Sequence, residues 1–169
     1  YLAAVRTGKI DYGGIGPASR LSLEQADAIR RTNPEIVLWK FPPRSDSAFG
    51  LNVNKPPFDD INVRRAMQMA LDLETINATY WKGYGSTKPQ GMYSDDMKGW
   101  VTPFEEWPEE VKKVHTYDPE GAKALLDAAG YEPDADGIRL KTRLAFFERY
   151  DLSYAELAAG YWREIGVEI

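Results

Sequence analysis

The chain repeatedly spells out the start of a helix in side-chain chemistry and, between those starts, shifts to the two-residue rhythm of a strand. Ser22-Leu-Glu-Gln25 has the form of a capping box, a hydroxyl followed three residues later by an amide. Leu23, Ala26 and Ile29 then keep helical spacing on one face, and Asn33-Pro34 stops the run. Asp59 or Asp60 can accept from the free N–H groups of the next helix, where a negative charge also suits the dipole. That helix carries Val63, Ala66, Met67, Ala70 and Leu71 at spacings of three and four. Asp72 offers a second cap, leading through Ile76 and Tyr80 to Gly83. Asp118 fits another N-cap, with Pro119 at the first helical position, Leu125, Leu126 and Ala129 facing inward, and Gly130 as the stop. Ser153-Tyr-Ala-Glu156 is a further capping box, opening a helix through Leu157, Tyr161 and Ile165 to Gly166.

Strand signals fill the intervals. Lys9-Ile-Asp-Tyr12 is short, and Glu35-Ile-Val-Leu-Trp-Lys-Phe41 is rich in β-branched and aromatic residues. From Ser47 to Asn54, Phe49, Leu51 and Val53 alternate with Ala48, Gly50 and Asn52. Residues 138–146 alternate apolar and basic side chains. Helices interleaved with strands predict an α/β or mixed α+β architecture. Asn54-Lys-Pro-Pro57 reads as a stiff extended linker, which sets a boundary between residues 1–53 and 54–169. From Gly83 to about Tyr117 no periodicity is evident, and long loops of this kind are often functional.

Composition narrows the class. Hydrophobic residues make up 43% and charged residues 28% of the 169, a globular balance. The 21 basic and 26 acidic residues leave a net charge of −5. The basic residues are scattered, so nucleic acid is not an expected partner. No apolar run approaches the roughly 20 residues of a membrane span. There is no cysteine, which excludes disulfides and thiolate chemistry. Tyr1-Leu-Ala-Ala-Val-Arg-Thr-Gly8 reads as the end of a helix, and Gly166-Val-Glu-Ile169 as the opening of a strand. The expectation is therefore an internal piece of a longer protein.

Few residues invite catalytic chemistry. Gly13-Gly-Ile-Gly16 lacks the Gly-Lys-Ser/Thr of a phosphate loop and reads as a turn. His115 is the lone imidazole, and one histidine without cysteine does not make a usual zinc site, so it is read as a surface-loop residue. Asp134-Ala-Asp136-Gly137 begins like a calcium loop but lacks the closing Glu, which favours a turn. Asp95-Asp96 suits a solvated loop better than a metal site. Asn77-Ala-Thr79 matches a glycosylation sequon within a helix. Trp81, Trp100 and Trp107 cluster around the long loop, where packing is the favoured reading over ligand stacking. No nucleophile–base constellation emerges, so no enzyme, cofactor or metal is expected. A glycosidase using carboxylates near Asp95 is the rival reading.

Six segments in order resemble the family 5 extracellular solute-binding proteins. They are Gly8-Lys-Ile-Asp11, Leu51-Asn-Val-Asn-Lys-Pro-Pro-Phe-Asp-Asp60, Val63-Arg-Arg-Ala66, Ala70-Leu-Asp-Leu-Glu74, the run from Tyr117 to Tyr131, and Trp162 to Val167. The resemblance implies a lobe of a periplasmic-binding-protein-like (type II) fold, part of a two-lobed clamp. It implies a periplasmic or extracellular protein, free or lipid-anchored, that captures peptides, sugars or metal chelates for the permease subunits of an ABC importer. A peptide-sensing or chaperone-like module is the alternative role. It also implies ligand-facing residues: Tyr12, Gly13 and Gly14 through open backbone, Phe49 through its ring, and Arg149 through a planar fork suited to a carboxylate.

Overall fold

The computed structural model describes residues 1–12, 21–39, 48–89, 97, 99–145 and 152–169. The chain divides into two compact units, Tyr1–Phe41 and Pro42–Ile169.

The smaller unit holds α1 (Leu2–Arg6) and α2 (Leu23–Thr32). The Ser22 box forms as the sequence predicts: Gln25 N–H donates to Oγ at 3.2 Å, and Ser22 N–H donates to Gln25 Oε1 at 2.9 Å. Ile29 is the buried residue of α2. Neither Lys9–Tyr12 nor the described part of the Glu35 run forms a strand. Their β propensity finds no ladder partner among the described residues, and a strand exists only as part of a ladder. The alternation survives in burial alone, with Ile36 and Leu38 half-buried and Val37 and Trp39 exposed.

The larger unit carries α3 (Ile61–Met69), α4 (Leu73–Thr79), a 3₁₀ turn (Phe104–Glu106), α5 (Glu109–Val114), α6 (Pro119–Ala128), β1 (Leu140–Lys141), α7 (Leu152–Glu164) and β2 (Val167–Glu168). The caps decide where these helices begin. Asp60 accepts from Asn62 N–H at 2.7 Å, Asp72 from Thr75 N–H at 2.9 Å, and Asp118 from Gly121 N–H at 2.8 Å. Ser153 departs from expectation, because α7 is already under way at Leu152 and the hydroxyl lies inside its first turn.

Helices α3 and α6 pack against each other, and Gly121 leaves no room for a larger residue: a Cβ there would collide with its own cap oxygen, Asp118 Oδ2, and stand 2.9 Å from Met69 Cε. Val63, Ala66, Ala122, Leu126, Ile165 and Val167 are fully buried in the shared core. Trp162 ties α7 to α3 by donating from Nε1 to the Met67 carbonyl at 2.9 Å. The two short strands run parallel, pairing Leu140 with Val167 and Lys141 with Glu168. Gly166 turns the chain from α7 into β2 at φ 85°, and a Cβ there would lie 2.7 Å from the Gly137 carbonyl oxygen.

The segment read as a stiff extended linker is instead folded into turns. The Lys55 carbonyl accepts from Phe58 N–H at 3.0 Å and Asp59 N–H at 3.1 Å. Arg64 then clips those turns to α3, donating from Nη1 to the carbonyls of Phe58 at 2.7 Å and Asp59 at 3.0 Å. Proline stiffness fixes the backbone here but does not make it straight.

Candidate ligand-binding site

Three stretches far apart in sequence bring aromatic rings to one edge of the larger unit's core. Phe49 precedes the turns at Lys55, Tyr80 and Trp81 follow the last residue of α4, and Tyr154 lies near the start of α7. Phe49 stacks on Tyr154, with centroids 5.5 Å apart and planes 12° from parallel. Beneath it the buried ring of Trp162 meets Phe49 edge-on at 5.0 Å and 72°. Tyr80 and Trp81 meet each other edge-on at 4.9 Å and lie 5.8 and 6.0 Å from Tyr154. Phe49, Tyr80, Trp81 and Tyr154 are all half-buried. Burial pushes the Tyr154 phenol above its ordinary pKa. Helix geometry explains the convergence: Tyr154, Leu157, Ala158, Tyr161 and Trp162 fall on one face of α7, which carries Tyr154 one end further than the fully covered Trp162.

A second ring group sits on the 99–117 segment. Phe104, Trp107 and His115 meet edge-on, with centroids 5.4, 6.3 and 5.9 Å apart. Trp107 Nε1 donates to the Thr102 carbonyl at 2.9 Å. Burial holds the His115 imidazole below its ordinary pKa. The residue read as a surface-loop histidine is thus the half-buried C-cap of α5. Lys88 pairs with Glu105, and that hydrogen bond is the main cause of a lowered Glu105 pKa. Trp81 and Trp107 belong to different ring groups, and Trp100 is 73% exposed, so the three tryptophans around the long loop do not form one surface.

Of the residues expected to face ligand, Phe49 and Tyr12 can be placed. Phe49 joins the ring cluster in the larger unit. Tyr12 lies in the smaller unit with its side chain 73% exposed. Gly13, Gly14 and Arg149 lie outside the described residues, as do Asp95 and Asp96. Asp134 makes the expected turn, its Oδ1 accepting from Asp136 N–H at 3.0 Å and Ile138 N–H at 2.8 Å. Asn77 spends its Oδ1 on Gly85 N–H at 2.8 Å. Among the described residues no group of three or more His, Asp or Glu side chains is placed to hold a metal ion. Nor is any described helix long and apolar enough to cross a membrane.

The larger unit is a mixed, helix-rich fold with a set of half-buried rings packed at the edge of its core. The chain belongs to the bacterial extracellular solute-binding proteins, family 5 Middle, whose sequence profile matches residues 1–169. It is 34% identical over 114 residues to the dipeptide-binding protein of Escherichia coli, covering 63% of this chain and 18% of that protein. It is 26% identical over 145 residues to heme-binding protein A of Haemophilus influenzae, covering 82% of this chain and 24% of that protein. Among solved structures it resembles NikA from Brucella suis in complex with Fe(III)-EDTA, with a TM-score of 0.54 and 27% identity over 70% of this chain and 24% of that one. The mixed architecture is that of a lobe of a type II periplasmic binding protein. The chain spans between 18% and 24% of the length of these relatives.

Proposed function

We propose that the protein carrying this chain is the solute-capturing component of an ABC importer, working outside the cytoplasmic membrane with peptides as its most suitable cargo. The observation that carries this reading is the family match over all 169 residues. Relatives named for binding a dipeptide and heme, and a similar structure holding Fe(III)-EDTA, support a small solute as ligand. In this reading residues 1–53 belong to the first lobe and 54–169 to the second. Solute binds between lobes, and closure follows because the closed state holds it more tightly. Tyr12, Gly13 and Gly14 would contribute from the first lobe, and Arg149 would hold a carboxylate from the second. Phe49, although numbered with the first lobe, is packed into the larger unit's rings. The permease subunits are the macromolecular partner, and a lipid anchor is the simplest way to hold such a protein near them.

The test is thermal unfolding of the full-length protein with separate panels of peptides, oligosaccharides and nickel chelates. A true ligand at about a hundred times its Kd adds roughly 2.7 kcal/mol of stability. A shift with peptides alone supports the reading. A shift with another class replaces the cargo. Turnover of a glycoside panel would favour the rival enzyme, and no shift with any panel would favour a role without transport.

A further inference from the structure

We draw no further inference here: the strongest candidate, the open cavity at the C-terminal end of α6 lined by Pro56, Asp59, Asp60, Ala129 and Tyr131, carries nothing, because its two carboxylates accept from the backbone N–H groups of Asp60 and Asn62 and no second observation among the described residues points to a ligand.

Discussion

The α3–α6–α7 core and the 99–117 segment occupy the same unit and are held by different forces. The core is mostly aliphatic and closed to solvent: Val63, Leu126, Ile165 and Val167 show no exposed surface, and carboxylate caps fix the start of α3 and α6. The segment buries no residue completely. It is held by three rings meeting at their edges and by exposed ion pairs such as Lys112–Glu109 at 2.7 Å. Surface pairs of that kind contribute little. The difference teaches that one unit contains two grades of order, one set by area removed from water and one by ring contact at a wet surface.

The sharpest way to break the comparison is to cut into the core. Leu126→Ala removes a fully buried side chain facing α3 and should cost about 3 kcal/mol, read as a lower denaturation midpoint for the full-length protein. A cost under 1 kcal/mol would mean that the core tolerates voids as the segment does. Next comes Asp118→Ala, which strips the cap from α6 and should cost about 1 kcal/mol. Asn at this position should restore most of that loss.

Within the segment the expected effects are smaller and local. Burial lowers the His115 pKa, so the unfolded segment takes up a proton first as pH falls. Stability that is fully present above the ordinary value of 6.5 should therefore be lost as pH drops below it. Amide exchange around Trp107, corrected for its intrinsic pH dependence, should quicken from pH 7.5 to 5. His115→Phe should flatten the response, while the core's protection stays constant. Smallest of all is Glu105→Gln. The carboxylate that pairs with Lys88 is exposed, so its loss should leave the melting temperature unchanged within error.

The same contrast explains what the sequence revealed. Ser22, Asp72 and Asp118 announced their helices because a cap is a local event, fixed by two or three adjacent residues. The α3 face was legible because its burial is one-sided and periodic. Helix α5 escaped, although Pro108-Glu109-Glu110 and Lys112-Lys113 arrange acids at its start and bases at its end. Its two apolar residues, Val111 and Val114, are too few to set a period. Strands form at Leu140–Lys141 and Val167–Glu168, within stretches the sequence marks, but other strand expectations fail in the opposite sense. Propensity marked Lys9–Tyr12 and Glu35–Trp39, but a ladder needs a neighbour that no local pattern supplies. The ring site was half visible. Phe49 was singled out, while its meeting with Tyr80, Trp81 and Tyr154 depends on tertiary placement of chain more than a hundred residues away at its furthest.

One hydrogen bond has wider reach. The Asp118 amide donates to the Met69 carbonyl at 2.9 Å, joining the last residue of α3 to the cap of α6. The chain thus leaves the core and returns to the point it left, and everything between forms a closed excursion across 49 positions, from 69 to 118. Ile76 anchors its early part, but from Gly99 to Thr116 no side chain is fully buried. Doubling the length of such an excursion costs only about 0.6 kcal/mol of closure entropy. The 99–116 part can then change in length at little entropic cost while α3 and α6 stay in register, giving the larger unit a region in which to vary without refolding its core.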